Sequence, residues 1–120
     1  MTSPLSVLLV DDHPLFREGL STLIMGLDAC ATVEQVGSLH AALALQGNTY
    51  QLILLDLNLP HVSGLDGLTQ MKATSPDSPI VVNSGDDDPQ TIAQTIHGGA
   101  SGFIPKSTNV AVTKQAIQLV

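Results

Sequence analysis

The sequence contains few basic residues and only one cysteine. Eleven Asp and Glu residues against four Lys and Arg give a formal net charge of −7 at pH 7. Nucleic-acid binding requires clustered Lys and Arg, so this balance excludes direct DNA or RNA binding by these residues. The lone Cys30 excludes an internal disulfide framework and is typical of a reducing compartment. We therefore expect a cytoplasmic location.

Long apolar runs are also missing. No run reaches the roughly 20 residues that cross a bilayer, and the N-terminus lacks a basic segment followed by an apolar one. No membrane association is expected. The chain has 120 residues, of which 43% are hydrophobic, enough for one domain with its own core. We expect residues 1–120 to form that single domain.

Short apolar runs alternate with segments of helical period, the pattern of repeated βα units. Strands are predicted at residues 5–10, 32–36, 52–57, 80–83 and 101–104, the second being weaker and nearer an edge. Helices are predicted at residues 14–27, 39–45, 65–73, 89–97 and 110–120, and the first has an apolar face of Leu15, Leu20, Leu23, Ile24 and Leu27. The expected fold is α/β: a doubly wound, five-stranded parallel sheet with helices on both faces, of the flavodoxin-like type.

Polar side chains follow several of the predicted strands. Asp11 and Asp12 follow the first, Asp56 ends the third, Ser84 follows the fourth and Lys106 follows the fifth. Ligands of such folds bind at the carboxyl ends of the strands, so these side chains should converge. Three close carboxylates repel one another unless a hard cation such as Mg²⁺ joins them, and a lysine can hold a phosphoryl oxygen. The set predicts a site for a metal and a phosphoryl group.

Simpler interpretations exist for each residue alone. Asp11 and Asp12 could cap the helix that starts at Pro14, Lys106 could be a solvated loop residue, and Ser84 a turn residue. His13 could be a metal ligand, but with no second His or Cys nearby a structural or surface role is expected. The loop of residues 86–88 is expected to be solvated and to cap the next helix. A loop that binds a cofactor phosphate directly is disfavoured, because the first loop is acidic.

Four segments together resemble the receiver domain of bacterial two-component response regulators. They read VLLVDDHPLFREGL, LILLDLNLPHVSGLDGL, VVNSGDDD and GFIPKS, in the order and spacing of that family. The opening DDHPLFREGL is most similar to receivers that carry a LuxR/NarL-type helix-turn-helix output domain. The resemblance implies such an output domain outside this chain, and DNA contact only through it.

The resemblance also implies a role for each acidic residue. Asp56 would be the phospho-acceptor and also a metal ligand. Asp12 would bind Mg²⁺ directly, Asp11 would support it mainly through water, and the backbone carbonyl of Asn58 would be a further ligand. The phosphoryl donor would be a phosphohistidine on a partner sensor histidine kinase.

The remaining implied roles concern the response to phosphorylation. Ser84 would turn toward the phosphoryl group, Lys106 would bridge to it, and Phe103 falls where the family often has an aromatic switch. Phe103 is more simply a core residue. A homodimer formed on phosphorylation is left open, with the helix–strand–helix face after Ser84 as the place to look.

Three function classes remain to be compared. The first is the phosphorylation switch, which catalyses only its own phosphorylation and dephosphorylation and is otherwise not an enzyme. The second is a module that binds partners without phosphorylation, which usually lacks one residue of the set. The third is a phosphohydrolase, which usually has a second acid two residues after its nucleophile, where this chain has Asn58.

Overall fold

The structure, a computed structural model, describes residues 5–45, 49–62, 64–86 and 88–106, together with residues 113, 115 and 117. Its strands are β1 (Ser6–Val10), β2 (Thr32–Val36), β3 (Leu52–Asp56), β4 (Ile80–Ser84) and β5 (Gly102–Pro105). Its helices are α1 (Pro14–Leu27), α2 (Leu39–Leu43), α3 (Gly64–Thr74) and α4 (Pro89–His97). The predicted last helix, residues 110–120, lies mostly outside the described residues, although positions 113, 115 and 117 are helical.

The five strands form one parallel sheet in the order β2-β1-β3-β4-β5. Its middle strands read as apolar runs because both faces of the sheet are covered: β3 and β4 are buried at every position. β2 lies at an edge and is only partly buried, as its weaker pattern predicts. The predicted doubly wound parallel sheet is confirmed.

Two apolar layers hold helices against the faces of this sheet. Alternate residues of β1 point to opposite faces, as in any strand. Leu8 and Val10 pack with residues of α2 and α3. Val7 and Leu9 pack with residues of α1 and with Ile117. Each layer leaves the carboxyl ends of the strands free to carry polar residues.

The predicted apolar face of α1 is wrong at one position. Leu15 is 89% exposed, whereas the adjacent Phe16 packs against the core. Phe16 precedes Leu20, Leu23 and Leu27 at the helical spacings of four, seven and eleven residues, so it lies on their face of the helix. Leu15 lies one position before Phe16 and therefore on a different side of the helix, where its side chain faces solvent.

Most predicted element ends shift by one or two residues. β1 starts at Ser6, β3 ends at Asp56, β4 extends to Ser84, and β5 starts one residue later than expected. α2 is shorter than predicted, ending at Leu43, and α3 extends one residue beyond its predicted range at each end. The bounds predicted for α1, α4 and β2 are confirmed.

The N-cap of α1 shows whether the two acids of the first loop cap that helix. α1 has Pro14 in its first turn, and its N-cap residue, His13, makes no side-chain capping bond. Asp11 and Asp12 are therefore not the N-cap of α1. Asp88 does cap α4, as expected, because its side chain accepts a hydrogen bond from the Gln90 N–H at 2.8 Å.

Asp28 ties the amino end of the sheet to the turn after α1. Its Oδ2 accepts from the Leu5 N–H at 3.0 Å and its Oδ1 from the Cys30 N–H at 2.9 Å. These backbone bonds, that from Leu5 first, lower the pKa of the Asp28 carboxyl. The charged form therefore stabilises the fold above the usual carboxyl pKa, and this contribution is lost as the pH falls through the lowered value.

Replacing Asp28 with Asn should lower the free energy of unfolding at neutral pH, since an amide offers only one acceptor oxygen. Urea denaturation of both proteins should show the difference shrinking as the pH falls below about 4. A difference that stays constant down to pH 2.5 would contradict this role.

In the part of the chain that the structure describes, no helix combines the length and apolar character that crossing a membrane demands.

Candidate functional site

Asp56 is the last residue of the central strand β3 and is almost fully buried, at 2% exposure. The apolar residues before it are buried in the core, so the carboxylate lies at the carboxyl end of this strand. Its Oδ1 accepts from the Asn58 N–H at 2.9 Å, and its Oδ2 lies 3.2 Å from the Lys106 Nζ. An isolated buried charge would be costly, so these partners are needed to hold it.

Asp11 and Asp12 follow β1, the strand beside β3. Asp11 is 3% exposed; its Oδ1 accepts from the His13 N–H at 2.8 Å. The Asp12 Oδ1 atom is buried and has no hydrogen-bond partner among the described residues. Such an oxygen is normally satisfied by a water or an ion.

Lys106 follows β5 and reaches back across the edge of the sheet to these acids. Its backbone N–H donates to the Ser84 carbonyl at 2.8 Å, which fixes where its side chain starts. Its Nζ lies 2.9 Å from the Asp11 Oδ2 and 3.2 Å from the Asp56 Oδ2, and 4.7 Å from the centre of the Phe16 ring. One ammonium therefore bridges two buried carboxylates, and the solvated-loop interpretation of Lys106 is wrong.

Ser84 ends β4, the other neighbour of β3, and is fully buried. Its Oγ accepts from the Asn58 Nδ2 at 3.0 Å and from the Asp86 N–H at 3.0 Å. The hydroxyl hydrogen remains for donation to another acceptor. Next to it, Gly85 has nothing within 4 Å of where a Cβ would lie, so the site is open on that side.

Burial is the main influence on Asp56. It raises the pKa of the Asp56 carboxyl, and the nearby Asp11 charge raises it further. The Asn58 N–H and the Lys106 ammonium act in the opposite direction, but the balance leaves the pKa of Asp56 above its ordinary value. A cation near this carboxylate would favour its charged form.

The residues present fit a divalent cation. One ligand atom from each of Asp11, Asp12, His13 and Asp56 lies within 4.8 Å of the others. Carboxylate oxygens are the ligands that Mg²⁺ prefers. The Asp12 Oδ1 accepts no hydrogen bond from the described residues, although the His13 Nδ1 lies 3.2 Å away, so it is available for a cation. The sequence prediction of an acidic cluster that could hold a metal is confirmed in this form.

His13 is the residue whose position the sequence did not predict. Its side chain is 60% exposed, as a surface residue should be, but its Nδ1 lies 2.9 Å from the Asp11 Oδ1 and 3.1 Å from the Lys106 Nζ. The available signal was its place directly after two acids that were already assigned to the site.

Phe103 is partly buried and packs against the apolar layer that contains α2 and α3. That position agrees with a core role, and its role as a switch stays a prediction.

Comparison with known proteins connects this geometry to a family. Residues 7–118 match the response regulator receiver domain. The "Glycerol metabolism activator" of Pseudomonas putida is 39% identical over 116 residues, covering 95% of this chain and 52% of that protein. The nitrate/nitrite response regulator protein homolog of Haemophilus influenzae is 37% identical over 110 residues, covering 90% of this chain and 52% of that protein. The chain thus spans about half the length of these curated relatives.

A solved structure agrees with the sequence matches. The LuxR family DNA-binding response regulator of Silicibacter pomeroyi superposes with a TM-score of 0.84 at 36% identity, covering 96% of this chain and 89% of that one. The matched region, residues 7–118, contains the acidic cluster and nearly all of the sheet. The chain belongs to the response regulator receiver domain family and is similar to its NarL and LuxR-type members.

Proposed function

We propose that this chain is a phosphorylation switch in which Asp56 accepts a phosphoryl group from a partner sensor histidine kinase, with Mg²⁺ as cofactor. The observation that carries the proposal is the position of Asp56: a buried carboxylate at the end of a central strand, within 3.2 Å of the Lys106 ammonium. Membership of the receiver family supports a phosphorylation-regulated switch in general. The donor, the metal and the output are proposals.

The chemistry asks little of the chain beyond positioning. A carboxylate oxygen of Asp56 forms a bond to phosphorus while the bond from phosphorus to the donor's imidazole nitrogen breaks, leaving an acyl phosphate and a histidine. Asp12 and Asp11, together with the Asn58 backbone carbonyl, would hold the Mg²⁺. When bound, Mg²⁺ neutralises charge on the transferring oxygens. Lys106 supplies a second positive charge on the same side as the Asp56 Oδ2.

The phosphorylated state changes the contacts at the edge of the sheet. An aspartyl phosphate brings about 1.5 to 2 negative charges and new acceptor oxygens. The hydroxyl of Ser84 can donate a hydrogen bond to these phosphoryl oxygens. The Lys106 ammonium, which lies beside Asp56, can pair with them as well. Both residues sit at the ends of β4 and β5, so their movement would shift the surface of α4, β5 and the helical positions beyond.

That surface would control an output domain outside this chain, in a cytoplasmic protein. The relatives that match are described as an activator and as a nitrate/nitrite response regulator homolog, and the similar structure as DNA-binding. Since the net charge of −7 disfavours DNA contact here, DNA would be bound by the output domain. The receiver would act only on its own aspartate and have no external substrate.

The test is phosphoryl uptake. The protein is incubated with acetyl phosphate and Mg²⁺, and its intact mass is compared with that of a sample in EDTA. A gain of one phosphoryl group only with Mg²⁺ is expected. No gain in either sample, together with no Mg²⁺ binding by calorimetry, would instead favour a partner-binding module that is never phosphorylated.

Replacing Ser84 with Ala should separate phosphorylation from the response. We expect phosphoryl uptake to stay within about twofold of the parent, because Ser84 is not a nucleophile or a metal ligand in this account. The phosphorylation-dependent change in hydrogen exchange across β5 and the loop after β4 should largely disappear. Loss of phosphorylation itself in this variant would contradict the assignment.

A further inference from the structure

His13 lies inside the donor set of the proposed metal site, and the proposed function gives its side chain no role. Its Nδ1 is 2.9 Å from the Asp11 Oδ1, 3.2 Å from the Asp12 Oδ1 and 3.9 Å from the Asp56 Oδ2. These four side chains form the one group of three or more metal-binding residue types that the described part of the chain brings together. One nitrogen donor thus accompanies three carboxylates.

No single tautomer of a neutral His13 satisfies both close contacts of this nitrogen, although Asp11 and Lys106 keep other partners in either case. A neutral imidazole nitrogen either carries a hydrogen or offers a lone pair. As a donor it suits the Asp11 Oδ1 at 2.9 Å but presents its hydrogen to the Lys106 Nζ at 3.1 Å. As an acceptor it suits Lys106 but sets a lone pair against the Asp11 oxygen. A cation bound between the His13 Nδ1 and the Asp11 Oδ1 would accept a lone pair from each of these two atoms.

We propose that the His13 side chain is a metal ligand in this site. Because of this ligand, the site binds first-row divalent transition ions such as Mn²⁺ in preference to Mg²⁺. Mg²⁺ favours oxygen ligands, whereas first-row transition ions also accept imidazole nitrogen, Mn²⁺ the least strongly among them, so the same residues would bind the two kinds of ion with different strength. The proposal rests on the proposed function in that it concerns the same metal site. It adds that the site selects its ion by a nitrogen ligand.

The local backbone allows His13 to take this role. The residue precedes Pro14 at the start of α1, with extended backbone angles, and its side chain makes no capping bond. The ring is 60% exposed, so it can turn toward an ion without displacing packed residues. Replacing it should therefore leave the fold intact.

The experiment uses Mn²⁺ as the probe because this ion is paramagnetic. Mn²⁺ is added to the parent chain, to His13→Ala, to His13→Gln and to His97→Ala; pulsed electron paramagnetic resonance then detects nitrogen-14 bound to the ion. His97 is the matched control, since it is an exposed histidine at the far end of α4. Calorimetry gives the Kd of Mn²⁺ and Mg²⁺ for each protein, and circular dichroism confirms folding.

We expect nitrogen-14 modulation in the parent and in His97→Ala, and its loss in both His13 variants. The Kd for Mn²⁺ should rise at least about tenfold in the His13 variants, the lower end of what loss of a supporting residue costs a metal site. The Kd for Mg²⁺ should change less than about threefold, because His13 is not expected to bind that ion.

Mn²⁺ bound to the parent without nitrogen-14 modulation would overturn the proposal. So would an equal loss of affinity for both ions, which would make His13 a residue that only positions the acids. If Mg²⁺ binds and phosphorylation proceeds, these results leave the proposed function standing. If neither ion binds the parent, both proposals fail together.

Discussion

Asp56→Asn should take up no phosphoryl group from acetyl phosphate and Mg²⁺, and should also be more stable than the parent. The amide cannot act as the nucleophile; it matches the carboxylate in size but keeps only one of the two oxygens that accept from Asn58 and Lys106. The gain from removing the buried charge therefore has to exceed the cost of one lost hydrogen bond. The gain in stability follows from burial, which raises the pKa of Asp56, with the neighbouring Asp11 as a further cause. A raised pKa means that the charged form opposes folding.

The stability difference has a defined pH dependence. It should be present at neutral pH, because burial disfavours the charged carboxyl of the parent. It should shrink as the pH falls through the raised pKa of Asp56 and be lost below the ordinary carboxyl pKa of about 4, where the carboxyl is neutral in both the folded and the unfolded protein. Urea denaturation in EDTA at several pH values measures it. A less stable variant at pH 7, or uptake of phosphate by it, would contradict the account.

Lys106→Met should lose stability in EDTA and recover much of it in Mg²⁺. Its ammonium lies within 3.2 Å of two buried carboxylates, which the substitution leaves without their cation. Removing one partner of a fully buried pair costs roughly 3–5 kcal/mol; we expect about 2 kcal/mol here, because the acids can take up protons or water. Mg²⁺ would replace the missing charge, so it should stabilise this variant more than the parent.

The matched control is Lys72→Met, the same substitution on α3 at a lysine for which the described residues show no ion pair. Thermal unfolding of the parent and both variants gives the comparison, each in EDTA and in one fixed concentration of Mg²⁺, about a hundred times the Kd of the parent. Binding at that concentration stabilises the native parent by about 2.7 kcal/mol, and Lys106→Met should gain more because it should bind Mg²⁺ more tightly. Equal losses for the two variants in EDTA, or equal effects of Mg²⁺, would show that Lys106 does not neutralise this cluster.

Much of the fold could be predicted because buried parallel strands leave a direct record in the sequence. The residues of β3 before Asp56 are all apolar and buried, so the sequence shows both the strand and the polar residue at its end. The N-cap of α4 was equally local: Asp88 precedes Pro89, and its own side chain makes the bond. Such features depend on a few neighbouring residues, which a sequence shows directly.

The errors arose where the outcome depends on a small rotation or on distant partners. Leu15 and Phe16 are both large and apolar, and only the phase of α1 decides which one faces the core. The contact of His13 with Lys106 joins residues 93 positions apart, and no local pattern indicates it. Likewise the bond from Asn58 to Ser84 depends on how the ends of β3 and β4 lie side by side.

The most direct test of the central claim is to locate the phosphoryl group. The protein is treated with acetyl phosphate and Mg²⁺ and then with borohydride, which reduces an acyl phosphate to the alcohol, and its peptides are sequenced by tandem mass spectrometry. The account predicts homoserine in place of Asp56, with Asp11 and Asp12 unchanged. Reduction at Asp11 or Asp12, or a phosphoryl group that resists borohydride on another residue, would contradict it.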